Sequence, residues 1–479
     1  MDWLIIGGYS IALTVICVFS AEQLYLAWIY SRSKKNDQRN NLKAYPYITV
    51  QLPIYNEKYV INRLIDKVCQ LDYPTEKLEI QVLDDSDDET LELTTQKVTE
   101  WSDRGMNIKL VRRPNRIGYK AGALAYGMGL AQGEFIAIFD ADFLPEKDFL
   151  TQTISAFDQD TGMVQTKWGH INQDYSILTR MQAFGLNAHF TVEQTGRSSS
   201  GKLMNFNGTA GVWRKTCIEE AGGWQHDTLT EDLDLSYRAQ LKGWKFKYLE
   251  DVTTPAELPV IIPAIKSQQY RWNKGAAETA RKNLASLFRS KLSFKVKFHG
   301  LMHLLNSSIF IFLLIGAVLS IPLLQVKHHR TDLSSAFDLA IVFIIGFLGT
   351  TIFYWISARV DRPRNTWKYF IYEFPIFLTF CMGLSLHNAI AVAEGYLGRK
   401  TPFIRTPKFN ITSSSDTWKG NKYLNKALSP VLFIEGLLSL YFLYGIYYGI
   451  KIEDYGLILF HLMLSIGFGA VFYLTLRSK

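Results

Sequence analysis

Phe135-Ile136-Ala137-Ile138-Phe139-Asp140-Ala141-Asp142 decides how this chain folds. Five apolar residues in a row, with no polar alternation, are the pattern of a strand buried on both faces of a parallel sheet. The run stops at two aspartates. On an extended segment Asp140 and Asp142 point to the same side. Like charges held that close repel unless a cation or a proton lies between them. A divalent ion bridging to phosphate oxygens meets that demand, and Mg²⁺ or Mn²⁺ suits such hard ligands. The alternative is helix capping and solvation ahead of Pro145-Glu146-Lys147.

Upstream, the same strand-then-helix pattern repeats. Tyr47 to Pro53 reads as a strand that ends at Tyr55-Asn56-Glu57, followed by a helix carrying Val60, Leu64, Ile65 and Val68 at helical spacing. Leu78 to Leu83 is a second strand that stops at Asp84-Asp85-Ser86-Asp87-Asp88, and Ile108 to Val111 is a third, followed by Arg112 to Lys120 and a helix over 121–131. This order predicts a mostly parallel sheet with right-handed crossovers. Ligands in such sheets bind outside the carboxyl ends of the strands. Those ends carry Tyr55, Asp84, Asp85, Asp140 and Asp142. Asp87 and Asp88 suit the dipole of the helix that follows them. Arg112, Arg113, Arg116 and Lys120 are cations suited to a diphosphate.

Two downstream motifs complete the pattern. Thr230-Glu231-Asp232 opens a helical run, where the carboxylates either cap the helix or sit beside an acceptor hydroxyl as a general base. Gln268-Gln269-Tyr270-Arg271-Trp272 places Gln268, Arg271 and Trp272 at i, i+3 and i+4, on one helix face. That face offers an amide, a planar cation for phosphate oxygens and a flat ring for a sugar. Such a trio is also ordinary helix surface when it stands alone.

Taken in order, Asp84-Asp85, Asp140-Ala141-Asp142, Thr230-Glu231-Asp232 and Gln268 to Trp272 resemble the D, D, D, QxxRW pattern of processive family-two glycosyltransferases. Cellulose synthase and the cellulose-synthase-like glucomannan synthases are the nearest comparison. Pro53-Ile54-Tyr55-Asn56-Glu57, Lys120 to Leu124, Val164 to Trp168 and Phe206-Asn207-Gly208-Thr209 are similar to further motifs of that group, and the likeness covers about 45–300. It implies a GT-A-type (Rossmann-like) α/β domain and an inverting transfer. It also implies that Tyr55, Glu57, Asp84, Asp85, Lys120, Asp140, Gln268 and Arg271 bind the nucleotide sugar. Asp142 with Asp140 would hold the metal, and Asp232, with Glu231 beside it, would act as the base. Trp168, Asn207, Gly208, Thr209 and Trp272 would meet the acceptor. Asn207 and Thr209 stand where cellulose synthases carry Cys and Ser. Phe403-Ile404-Arg405-Thr406-Pro407-Lys408 resembles the cytoplasmic gating loop FxVTxK, with Arg405 in place of Val.

Around this domain the chain is built for a membrane. Apolar runs near 4–30, 304–326, 339–358, 370–393, 431–450 and 456–476 are long enough, at about 20 residues, to cross a bilayer. The net charge of +8 is concentrated at membrane edges, in Arg32 to Lys43 and between Lys266 and Lys297, where nine Lys or Arg face one acid, Glu278. Basic residues at such edges mark the cytoplasmic side and attract anionic headgroups, which argues against nucleic acid as partner. The expected layout is an N-terminal transmembrane helix (1–30), a cytoplasmic glycosyltransferase domain (31–262), interfacial helices bearing the QxxRW motif (263–300) and a C-terminal membrane region (301–479) with a cytoplasmic loop near 399–426. A loop on the domain's side needs an even number of crossings before it, whereas three apolar runs precede it. The run 370–393, with Pro375 and the polar Ser385 to Asn388, is the better candidate for a re-entrant or interfacial segment.

These features predict a β-glycosyltransferase in a cell membrane. It would extend a polysaccharide from a nucleotide sugar, UDP-glucose first and GDP-mannose second, coupled to translocation, with accessory export subunits as further partners. A single transfer to a lipid acceptor is the enzymatic alternative, and an inactive transport or scaffold protein the other.

Overall fold

The computed structural model describes the 479 residues except 34–38, 41, 43, 331, 333–336, 338–343, 414, 425–428 and 479. The start of the apolar run 339–358, together with Lys34, Lys35, Lys43 and Lys426 of the basic stretches, therefore lies outside the described residues.

The four apolar runs become the strands expected of them: β1 Ile48–Ile54, β2 Leu78–Asp84, β3 Ile108–Val111 and β4 Phe135–Ile138. All four residues of β4 are buried. β1 pairs in parallel with β2 and with β4, and β2 in parallel with β3. Helices α2 (Ile61–Val68), α3 (Thr90–Asp103) and α4 (Tyr119–Leu130) supply the crossovers. Aliphatic residues of these strands pack with Ile61, Leu64 and Val68 of α2 and with Phe149 and Leu150 of the short helix α5 (Phe149–Ile154) into one core.

Three further strands extend the sheet to the order β3-β2-β1-β4-β6-β5-β7. These are β5 (Thr161–His170), β6 (Gly211–Arg214) and β7 (Lys245–Ala256), and β6 runs antiparallel to both β4 and β5. Between β5 and β6 lie helix α6 (Ile177–Ala188), a π-helical turn over His189–Glu193 and helix α7 (Gln194–Ser199). Helices α8 (Lys215–Glu220) and α9 (Glu231–Leu241) precede β7.

After the sheet comes a helix of 28 residues, α10 (Ile262–Arg289), opened by Pro263 in its first turn, where a missing N–H costs nothing. It carries Gln268, Arg271 and Trp272. The shorter α11 (Phe294–Leu304) follows, then α12 (Ile309–His329), α13 (Ile344–Asp361), α14 (Thr366–Gly383), α15 (Ser385–Leu397), α16 (Val431–Lys451) and α17 (Ile458–Arg477). Among the described residues, four helices are long and apolar enough to cross a membrane: the N-terminal helix α1 (Asp2–Arg32), the segment Asn306–His329 containing α12, α16 and α17.

Side-chain neighbours give the directions of these helices. α12 runs antiparallel to α1, because Gly316 lies by Ala12, Gly8 by Leu319, and Arg330 pairs with Asp2. α13 runs parallel to α1, with Gly346 against Cys17, Gly349 against Ser20, and Phe353 in one cluster with Ala27. α14 and α15 bend by 51° at their junction, the region picked out by Pro375 and the polar 385–388. α14 starts beside the sheet domain, where Phe370, Phe374 and Phe377 pack on Phe184 of α6. α15 ends against α10, where Gly395 touches Lys274 and Ala277. The junction itself, at Leu384, packs against Ile262 and Ile265 of α10.

Candidate functional site

One cavity opens at the carboxyl ends of β1 and β4. Its wall contains Tyr55, Glu57, Asp85, Lys120, Asp140, Asp142, Trp168, Asn207, Gly208, Glu231, Asp232, Gln268, Arg271 and Trp272. Fourteen of the sixteen residues singled out from sequence therefore share one space, although they come from positions 55 to 272.

Lys120 is the hub. It projects from the first turn of α4, just after Gly118 in left-handed backbone (φ +74°). Its Nζ donates to Asp140 Oδ1 at 2.6 Å and to the Gly208 carbonyl at 2.8 Å, and it lies 4.0 Å from Glu231 Oε1. Burial on its own would lower this lysine, but Asp140 and Glu231 outweigh it and raise the group. Asp232 is the neighbour of Glu231 on α9. Burial pushes both carboxyls above their usual range, and for Asp232 the adjacent Glu231 adds to the push. Lys120 pulls the other way. The result is a buried carboxyl pair beside one cation, the environment that makes a carboxylate basic.

The helix α10 places both of its neighbours. Gly275 touches the backbone of Thr230 so closely that an added Cβ would lie 2.8 Å from the Thr230 nitrogen. Glu278 accepts from the Leu229 N–H at 2.8 Å, and Asn283 donates to Asp234 of α9 at 2.9 Å. The Gln268 to Trp272 face and the Thr230-Glu231-Asp232 motif are thereby set by the same helix. Arg271 donates to Thr406 Oγ1 at 2.7 Å, while its buried Nε has no partner among the described residues. An unpaired guanidinium donor in a cavity is a natural anchor for phosphate oxygens.

Asp84 and Thr209 stand behind the wall. Asp84 Oδ1 accepts from the Ser86 N–H at 2.7 Å, closing a turn at the end of β2. Thr209 Oγ1 accepts from the Asp140 N–H at 2.9 Å and so holds the aspartate motif in place. Of the two acids assigned to the helix dipole, Asp88 accepts from the Thr90 N–H at 2.9 Å, whereas Asp87 pairs with Asn56 Nδ2 at 2.8 Å and with Tyr55 Oη at 3.3 Å. Asp85 is gripped by Arg113 Nε and Nη2 at 2.8 and 2.5 Å.

The basic stretch after β3 and the gating-like segment also reach the site. The Arg116 guanidinium stacks 3.2 Å above the Tyr55 ring centroid. The segment 401–411 lies over the cavity, with Phe403, Arg405, Thr406 and Lys408 in its wall. Lys408 pairs with Asp142 at 2.7 Å, and Arg405 with Glu57 at 2.6 Å. The Arg405 that departs from the usual Val is therefore matched to a buried acid. Glu257, for which no sequence motif speaks, anchors the segment by accepting from the Phe409 and Asn410 N–H groups at 2.8 and 3.0 Å.

A divalent ion fits here only in company. Among the described residues no group of three or more His, Cys, Asp or Glu is arranged to hold one. Asp140 and Asp142 remain, and Asp142 Oδ1 is buried with no partner. Two carboxylates with a vacant oxygen suit an ion that takes its other ligands from substrate phosphates and water, as Mg²⁺ does.

Comparison with known proteins agrees with this geometry. Residues 46–275 match the family described as "Glycosyltransferase like family 2". The chain is 41% identical over 304 residues to glucomannan 4-beta-mannosyltransferase 1 of Oryza sativa subsp. japonica, covering 59% of this chain and 58% of that protein. It is 38% identical over 341 residues to glucomannan 4-beta-mannosyltransferase 2 of Arabidopsis thaliana, covering 67% and 63%. The chain thus spans less than two thirds of the length of the curated relatives it matches. In fold it resembles a mannosyltransferase of Pyrobaculum calidifontis solved with GDP-Man and Mn²⁺, at a TM-score of 0.53 and 21% identity over 74% of this chain and 99% of that one. With its GT-A-like sheet and its ordered acidic and QxxRW motifs in one cavity, the segment 46–275 is a family-two glycosyltransferase domain, and the chain around it is similar to the cellulose-synthase-like glucomannan mannosyltransferases.

Proposed function

We propose that this chain passes a sugar from a nucleotide diphosphate donor to the hydroxyl of a β-linked glycan, at the cytoplasmic face of a membrane, and that the sugar is mannose. The observation that carries this reading is Lys120, whose ammonium joins Asp140 of the donor side to Gly208 and Glu231 of the acceptor side. The activity named for the relatives favours a mannosyl donor such as GDP-mannose over the UDP-glucose put first from sequence.

The chemistry follows from the wall. Asp232 would take the proton as the acceptor oxygen bonds to the anomeric carbon. The bond from that carbon to the diphosphate oxygen breaks on the opposite side, which inverts the configuration. Arg271 and Gln268 face the departing diphosphate, and Trp272 offers a flat ring to the acceptor sugar. A divalent ion held by Asp140 and Asp142 would neutralise charge on the phosphate oxygens.

The helix directions support transfer next to a membrane passage. With the basic edges on the cytoplasmic side, α12 leads out, α13 returns, the bent α14–α15 pair dips in from the domain side, and α16 and α17 lead out and back. A hydroxyl-rich chain crosses lipid only at high cost, so a site placed on α10 against these helices favours coupling of synthesis to translocation.

The test is a donor screen on purified protein in lipid, with GDP-mannose, GDP-glucose and UDP-glucose, followed by sizing of the product. Incorporation from GDP-mannose into a ladder of increasing length is expected. A lipid carrying one sugar as sole product would overturn the polymer reading, and incorporation from UDP-glucose alone would overturn the choice of donor.

A further inference from the structure

Behind the cavity wall runs a chain of side chains whose donors and acceptors can be assigned from one fixed point. The carbonyl oxygen of Asn205 can only accept, and it lies 3.0 Å from Gln194 Nε2. The same Gln194 amino group donates to Asn207 Oδ1 at 2.6 Å. Asn207 is therefore turned so that its own Nδ2 faces His189 Nε2, 3.0 Å away. That ring nitrogen must accept, which puts the proton of the neutral imidazole on Nδ1. Nδ1 lies 2.9 Å from Glu193 Oε2 and donates to it.

Glu193 is built to receive that bond. Burial alone would raise its carboxyl, but the Arg197 charge and the hydrogen bond from His189 hold it well below the usual range. Arg197 Nε donates to Glu193 Oε1 at 3.0 Å. His189 to Glu193 form the π-helical turn, a costly irregularity that recurs at functional sites. Gln194 Oε1 is buried with no partner among the described residues, so its amide is held for its donor side at the expense of its acceptor.

All of these constraints converge on one amide, which lines the cavity with Gly208 and Trp168. An amide can present either a donor or an acceptor, and the wrong face costs binding. Pinned as described, Asn207 keeps one Nδ2 hydrogen with no partner among the described residues. We propose that His189 is a positioning residue for the acceptor: by accepting from Asn207 it holds the amide so that its second N–H is offered to a hydroxyl oxygen of the incoming glycan. This rests on the glycosyl-transfer reading above. It adds a residue that no donor- or metal-binding motif contains.

The experiment uses the full chain in lipid, with GDP-mannose as donor and β-1,4-mannotetraose as acceptor. It measures acceptor KM, donor Kd and melting temperature. His189→Phe is expected to raise acceptor KM about tenfold, the cost of one lost hydrogen bond of about 1.4 kcal/mol, with donor Kd unchanged. His189→Gln, whose Oε1 still accepts from Asn207, should rescue most of that loss. In an Asn207→Ala background, His189→Phe should add nothing, because the two act as one unit. Multiplying effects, an unchanged acceptor KM, or equal weakening of donor binding would overturn the assignment. Should His189→Phe not fold, Asn207→Asp keeps the shape but not the N–H, and an unchanged acceptor KM there overturns it equally. Absence of transfer by the unaltered protein would remove the glycosyl-transfer reading and this inference together, whereas transfer without the acceptor-specific loss removes only the inference.

Discussion

Lys408 lies 2.7 Å from the Asp142 carboxylate, although the two are 266 positions apart in the chain. Burial would lower this lysine, but Asp142 and Glu57 outweigh it and raise the group. The ammonium holds Asp142 Oδ2, while Oδ1 stays buried with no partner among the described residues. Those are the oxygens a divalent ion would claim, so segment 401–411 and the ion compete for one carboxylate. Lys408→Met should raise the affinity of the donor-free protein for Mn²⁺ by about tenfold, the worth of one charge-assisted contact. Electron paramagnetic resonance of free Mn²⁺ reads it directly, and an unchanged affinity would remove the competition.

Gly275 tests whether α10 sets the Thr230-Glu231-Asp232 motif, the proposed base. A methyl group there would meet Thr230 Cγ2 at 2.5 Å and the Thr230 nitrogen at 2.8 Å, so the helix or the loop must move. A shift of that size displaces Asp232 relative to Arg271. Since misplacement by about 1 Å can cost about a hundredfold, Gly275→Ala should lower turnover by one to two powers of ten while the membrane helices still assemble. Steady-state kinetics beside a melting curve separates the two. Equal turnover in the variant would show that α10 does not position the motif.

Arg405 and Glu57 form the other clasp of the loop. Burial raises the Glu57 carboxyl, against the pull of Arg405, to about 7. Arg405→Val removes that pull and leaves a buried acid alone, at a cost of about 1–3 kcal/mol. The sign with pH is fixed. A carboxyl whose folded pKa lies above its unfolded value binds more protons when folded, so stability falls as pH rises from about 4 through 7. The melting-temperature deficit of Arg405→Val should therefore widen from pH 5 to pH 8, and adding Glu57→Gln should flatten it. A deficit constant with pH would mean that the pair is not what the variant disturbs.

Much of this architecture was legible in the residues. β1 to β4 are apolar runs with turn chemistry at their ends, and burial on both faces leaves a signature in composition. β5 to β7 left little: β6 has four residues, and β7 reads Lys-Phe-Lys-Tyr-Leu-Glu-Asp with charges on an edge strand. Pro375 and the polar Ser385 to Asn388 marked 370–393 as an irregular segment; Pro375 stays inside α14, and the 51° bend falls where the polar run begins. The motifs located the cavity, but they did not say which side chains face it. Asp84 turns to the Ser86 N–H two residues on, a choice decided by local geometry, whereas Thr209 turns to the Asp140 N–H across the fold. The pairs Arg405–Glu57 and Asn207–His189 join separate segments, and such partners are set by the tertiary fold alone.

Asp232 carries the sharpest consequence for activity. Its carboxyl is raised first by burial and then by the negative charge of Glu231, with Lys120 opposing both. As a general base it works only when ionised. Transfer should therefore rise with pH through a value above the usual carboxylate range of about 4, where an exposed aspartate would already be fully active. Glu231→Gln removes the neighbouring charge and should move this acid limb to lower pH. Asp232→Asn has nearly the same shape but cannot take a proton, so it should cut transfer by at least a hundredfold and leave donor binding in place. The measurements are kcat/KM against pH for the three proteins and donor affinity by calorimetry. A limb that stays put in Glu231→Gln would mean that a different group titrates. Near-normal transfer by Asp232→Asn would mean that the proton leaves by another path.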